Sequence, residues 1–85
     1  MSPTEIQLLA VLKAPAVPLG EVCDRYLGLG EDTAYREAAL NRLPFPTFRL
    51  TQSRKAPVMV NISDLARHID EQHECAKKSW VNSQV

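Results

Sequence analysis

Apolar residues recur at helical spacing near the start of the chain. Ile6, Leu9 and Leu12 follow one another at steps of three, and Leu8 and Val11 widen the stripe. Ser2 and Glu5 have the S-x-x-E spacing of a capping box, and Pro3 suits a first helical turn. The pattern predicts a first helix over about residues 3–13. Pro15 and Pro18 then stop it and impose an extended connection. Leu19, Val22, Tyr26 and Leu29 share one side, with Cys23 beside them, and predict a short second helix ended by Gly28 or Gly30. In EDTAYREAALNRL, Asp32 or Thr33 is the expected cap, Ala34, Ala38 and Leu40 supply a modest apolar face, and Pro44 and Pro46 end the helix. Two helices separated by a glycine-containing turn are the pattern of a helix-turn-helix.

The period then changes to two. Phe48 and Leu50 alternate with Thr47, Arg49 and Thr51, and Val58, Val60 and Ile62 fall on one side of a second run. Between them QSRKAP is polar and basic, so the pair reads as a β-hairpin with a basic tip. Ser63 is the expected cap of a last helix whose Leu65, Ile69 and Cys75 face inward, with Asp64 near its start and Lys77 and Lys78 near its end. SWVNSQV has no clear period. The expected fold class is α+β: a small winged helix-turn-helix domain over residues 1–78 with a two-stranded β-hairpin wing, followed by a C-terminal tail over residues 79–85.

Composition narrows the reading. The chain has 85 residues and is 45% hydrophobic, which suits one small domain with a folded core. It carries 10 basic and 10 acidic residues, which argues against a polyelectrolyte that coats nucleic acid. The charges are segregated, however. No acid occurs between Arg42 and Asp64. Over residues 36–55 the bases Arg36, Arg42, Arg49, Arg54 and Lys55 face Glu37 alone, a balance of five minus one, or +4. The acids gather instead at Glu31 and Asp32 and at Asp70, Glu71 and Glu74. A neutral chain can therefore present one positive face, and it is local potential that acts at a contact surface.

Catalytic, metal and cofactor chemistry find little footing. Cys23 and Cys75 are far apart and in no CxxC pair, so a disulfide framework is not expected and a reducing, cytoplasmic setting is. No apolar run is long enough for a membrane span, and the acid at Glu5 is unlike the basic start of a signal peptide. His68 and His73 stand five residues apart, about 140° around a helix, and read as ordinary surface histidines rather than a two-ligand metal face. Gly28 and Gly30 lie in a plain turn, not in a phosphate-binding loop. No enzyme activity, metal or cofactor is expected.

Double-stranded DNA is the expected partner. One helix must enter the major groove, and cations or hydrogen-bond donors must hold phosphates and set the register. The second helix of the pair carries Thr33, Tyr35, Arg36, Asn41 and Arg42, with Arg36 the first choice for a base contact. The hairpin offers Arg49, Gln52, Ser53, Arg54 and Lys55 for phosphates or the minor groove. Two plainer readings stand beside this one. Basic hairpins also serve as solvated edges that block edge-to-edge pairing. Tyr35 also suits a core position with its hydroxyl at the surface. A chain this short covers few base pairs, so a homo-oligomer is expected, with the first helix and the Trp80–Val81 tail as self-association candidates.

The segments VPLGEVCDRYLGL and LPFPTFRLTQSRKAPVMVNISDLARHID resemble the pyocin activator protein family over about residues 5–78. The most specific part comprises Leu43, Pro44, Pro46, Phe48, Arg49, Leu50, Ser53, Lys55, Ala56, Pro57, Val60, Asp64, Leu65, Ala66, His68, Ile69 and Asp70. The resemblance implies a small transcriptional activator that binds promoter DNA of bacteriocin or prophage genes, with RNA polymerase as a further partner. A looser similarity, carried by Leu19, Glu21, Val22, Leu27, Gly28, Thr33, Tyr35 and Arg36, runs to phage excisionases and other small winged-helix proteins. It implies a DNA-bending architectural factor as the alternative. A third alternative is a phage-encoded adaptor or inhibitor that binds a host protein. The chain departs from these DNA-binding patterns in its zero net charge and in Glu31 and Asp32 at the start of the expected recognition helix.

Overall fold

The computed structural model describes residues 2–53 and 55–84. Among them are four helices and a three-stranded antiparallel sheet, an α+β arrangement. Helix α1 (Pro3–Leu12) is capped by Ser2, whose hydroxyl accepts from the Glu5 amide at 3.1 Å. The capping box is not reciprocal: the Glu5 carboxylate accepts from the Ser63 hydroxyl instead, and so ties α1 to the last helix. Leu8 is buried and Leu9 and Leu12 pack against the core, but Ile6 and Val11, expected on the inward face, are exposed. Leu8 and Leu12 fall within one turn of each other, whereas Ile6 lies about 160° around from Leu8.

The connection after α1 is more ordered than its prolines suggested. Ala16–Pro18 forms strand β1, which pairs with β3 (Met59–Asn61), while β2 (Thr47–Phe48) pairs with the other edge of β3. Pro18 has no N–H to donate, and the edge position of β1 tolerates that. Val60 is the centre of the sheet, opposite Val17 on one side and Thr47 on the other. The sheet also anchors two helices. The Leu19 amide donates to the Val58 carbonyl at 2.7 Å, and the Ile62 amide donates to the Pro15 carbonyl at 2.9 Å. These bonds pin the first residues of α2 and α4 to the strands.

Helix α2 (Leu19–Val22) continues into a π-helical turn, Cys23–Leu27, which Gly28 closes with φ 68°, a conformation that suits glycine. After a turn through Leu29 and Gly30 comes α3 (Glu31–Ala39). Its cap is Gly30 rather than Asp32 or Thr33. Those two fall inside the first turn because the extended backbone at Gly30 already starts the helix, and Ala34 donates to the Gly30 carbonyl at 2.9 Å. Ala34 and Ala38 are buried, but Leu40, expected with them, is exposed beyond the last helical residue. Pro44 and Pro46 do not end α3. Asn41 does so in a left-handed conformation, φ 55°, with Asn41 donating to Ala38 and Arg42 to Glu37 in a Schellman arrangement.

The core comprises Leu8, Val17, Leu19, Val22, Cys23, Ala34, Ala38, Phe45, Val58, Val60, Ile62, Leu65 and Ala66. The inward placement of Val58, Val60 and Ile62 matches the alternating pattern. The expected Phe48–Leu50 face does not form, since β2 ends at Phe48 and Leu50 is exposed. Phe45 takes their place in the core and meets the His68 ring edge-on at 5.8 Å. His68 is thus half-buried rather than an ordinary surface histidine. Helix α4 (Ile62–Ser83) is capped by Asn61, whose side chain accepts from the Ser63 amide at 2.8 Å, so Ser63 lies inside the helix instead of capping it. Residues 79–83, where the sequence shows no period, continue α4. Cys75, expected inward, is exposed because α4 has by then outrun the body of the domain.

Candidate nucleic-acid interface

Helix α3 turns its small residues inward and its polar ones outward. With Ala34 and Ala38 against the core, Arg36 points to the opposite side at about 100° per residue, with Thr33 on its flank. Both are exposed, as is Arg42 in the turn after the helix. Tyr35 is half-buried and packs its ring against the core, at the edge of the outward face. Ala at positions 34 and 38 lets α3 approach α2 closely, and the pair packs side by side.

The residues between β2 and β3 carry the second set. Arg49, Gln52, Ser53 and Lys55 are all exposed. Ser53 shapes the tip: its hydroxyl accepts from the Lys55 amide at 3.2 Å and its carbonyl accepts from the Ala56 amide at 3.1 Å. Arg54 lies outside the described residues. A cleft of about 260 Å³ joins the two sets. Tyr35, Ala38, Ala39 and Asn41 from α3 and its exit line one wall, and Thr47, Phe48, Arg49 and Val58 line the other. Tyr35 and Arg49, far apart in sequence, thus border one depression. Asn41, one of the residues that the second helix of the pair carries, shares it, as does Thr47, which was not among the expected site residues. Thr47 read only as the polar side of a strand. Asn41 also suits the left-handed helix exit at that position.

Electrostatics favour availability of the cations. Among the described residues the ion pairs are Arg67 with Asp64 and Glu71, and Lys77 with Glu74, all on α4. Arg36, Arg42, Arg49 and Lys55 take part in none of them. Glu31, an acid that would oppose phosphate near α3, lies back over α2. A Cβ on Gly20 would come within 3.0 Å of the Glu31 carboxylate. The glycine therefore leaves room for that side chain against the neighbouring helix. A larger cleft of about 700 Å³ lies between α1 and α4, bordered by Glu5, Asp70, Glu71 and Glu74 against Arg67 and Lys78. Its net negative lining is unsuited to a phosphate backbone.

No group of histidine, cysteine and carboxylate side chains among the described residues is placed to hold a metal ion. No described helix is long and apolar enough to cross a membrane. No curated protein and no solved structure matches the chain. A family model described as pyocin activator protein PrtN matches residues 4–76. That match takes in α1, the whole sheet, the α2–α3 pair and most of α4, and the chain belongs to the pyocin activator family, regulators of pyocin genes rather than enzymes.

Proposed function

We propose that the chain is a sequence-specific DNA-binding activator of pyocin genes, working in the cytoplasm as a winged helix-turn-helix. In this reading α3 is the recognition helix and the residues between β2 and β3 are the wing. Arg36 reads base edges from the outward face of α3, flanked by Thr33, with Tyr35 and Arg42 at its border. Arg49, Gln52, Ser53, Arg54 and Lys55 hold phosphates or the adjoining minor groove. RNA polymerase is the further partner in this reading.

The observation that carries the reading is the cleft bordered by both Tyr35 and Arg49. It sets the exit of α3 beside the base of the basic loop, whereas the cleft between α1 and α4 has a net negative lining. A helix and a loop set side by side in this way suit a duplex, where the helix takes a groove and the loop takes the backbone beside it. The test is a footprint of the purified chain over the regions upstream of pyocin genes, repeated across a salt series. If Arg42, Arg49, Arg54 and Lys55 each neutralise a phosphate while Arg36 reads a base, log K should fall with log salt at a slope of about −3.6, from ~0.9 per contact. No protection at any salt concentration would overturn the proposal. Protection with a flat salt dependence would remove the basic loop from it.

A further inference from the structure

We infer that the projecting half of α4 is a dimerisation arm that pairs antiparallel with the same segment of a second copy, crossing at Ala76. Helix α4 spans Ile62–Ser83, yet from Glu71 onward every described residue is exposed. The molecule is correspondingly long, 53 × 26 × 17 Å. The packed first half of α4 nucleates this extension, but an exposed run of about a dozen residues gains no packing energy of its own until a partner covers it.

The arm has a face ready for one. Ile62, Leu65 and Ile69 form the stripe that packs α4 onto the domain. The same stripe continues through Ala76 and Trp80, at further steps of seven and four residues. Gln72 and His73 occupy the turn between, and Trp80 is 64% exposed. The apolar side of α4 therefore does not stop where the body stops. Asp70 and Lys77 flank the stripe, about 80–100° around from its centre, while Glu71, Glu74 and Lys78 lie on the far side of the helix.

Two features select a second copy of this chain and set its direction. First, the two charges that flank the stripe are ordered along the helix, with Asp70 before Lys77. A parallel pair sets like charge beside like charge. An antiparallel pair brings each Lys77 toward the other copy's Asp70, offset by about 7.5 Å along the axis at 1.5 Å per residue, on the order of the screening length of roughly 8–10 Å. Second, the stripe is small at its middle and large toward its end. With Ala76 on the two-fold axis the helices approach closely at the small residue, and each Trp80 covers Gln72 and His73 of the other copy. A parallel pair sets Trp80 against Trp80 and leaves the smaller positions unfilled.

Sedimentation of the full chain measures the assembly directly. The expected species is a dimer, twice the 9.5 kDa of the chain. Ala76→Glu should yield a monomer with an unchanged circular dichroism spectrum, and Trp80→Ala should weaken dimerisation about 30-fold, as truncation of a buried aromatic anchor does. Direction is read by oxidative cross-linking in a Cys75→Ser background. Ala76→Cys should form a disulfide-linked dimer and Ser83→Cys should not. In antiparallel register the two residues 83 stand about 21 Å apart along the axis at 1.5 Å per residue, beyond the roughly 7 Å that a disulfide spans. A parent chain that sediments as a monomer overturns the inference, as does a dimer that survives Ala76→Glu. Equal cross-linking at positions 76 and 83 overturns the antiparallel pairing. None of these readouts uses DNA, so they stand apart from the footprint that tests α3.

Discussion

At the scale of single residues, two side chains separate folding from recognition. Leu65 is fully buried in the core, and its removal leaves a cavity that the surrounding core side chains can only partly fill. Leu65→Ala should cost about 2–5 kcal/mol, a large part of the roughly 5–15 kcal/mol that holds a small domain together. Urea denaturation should show it as a lower midpoint at nearly constant slope. Arg36 lies on the opposite kind of surface, exposed and outside the ion pairs of the described residues. Arg36→Ala should leave the unfolding midpoint nearly unchanged. If Arg36 makes a bidentate base contact, the variant should lose about 1–3 kcal/mol of discrimination at one base pair. Competition binding with single-base variants of the footprinted site reads this directly.

At the scale of elements, the exits of the helices matter as much as their interiors. The left-handed residue at Asn41 turns the chain from α3 toward β2 and closes the helix with two backbone bonds. Asn41→Gly should be neutral or slightly stabilising, because glycine carries no Cβ to clash in that conformation. Asn41→Ala should cost about 1–2 kcal/mol. Thermal unfolding of the two variants checks the order. If alanine proved the more stable, the exit would not depend on a left-handed residue. The other junction to note is at α4, where the Thr4 hydroxyl donates to Asp70 at 2.5 Å and Ser63 donates to Glu5. These bonds lock α1 along the first half of α4 and leave the second half free.

At the scale of the whole molecule, charge placement decides what a chain of zero net charge can bind. The exposed cations Arg36, Arg42, Arg49 and Lys55 lie on α3, just after it and in the β2–β3 loop. Five of the ten acids lie on α1 and α4, and the other five, Glu21, Asp24, Glu31, Asp32 and Glu37, lie on the α2–α3 pair. Reversing two loop charges, Arg49→Glu with Lys55→Glu, should weaken binding to specific and unrelated duplexes alike, because phosphate contacts carry no sequence information. The salt slope should also shrink by about two contacts, or ~1.8. Fluorescence anisotropy over a salt series measures both effects. A loss confined to the specific duplex would instead assign the loop to base reading.

Local order was legible in the chain itself. Ser2 before Pro3 placed the start of α1, the pair Gly28 and Gly30 narrowed the exit of the second helix to two positions, of which Gly28 is the one used, and the alternation of Val58, Val60 and Ile62 placed the buried face of the sheet. Such signals need only neighbours within one or two turns, where side-chain spacing and capping geometry are short-range effects. What required the folded molecule was every choice between equivalent local options. Ala16–Pro18 became a strand because β3 had a free edge to pair with. Phe45 displaced Phe48 and Leu50 from the core because β2 ends before their alternation can repeat. Tyr35 and Arg49 came to border one cleft because the sheet folds the β2–β3 segment back against α3. Pairing edges and shared clefts join residues far apart in sequence, and only packing around a common core determines which of them meet.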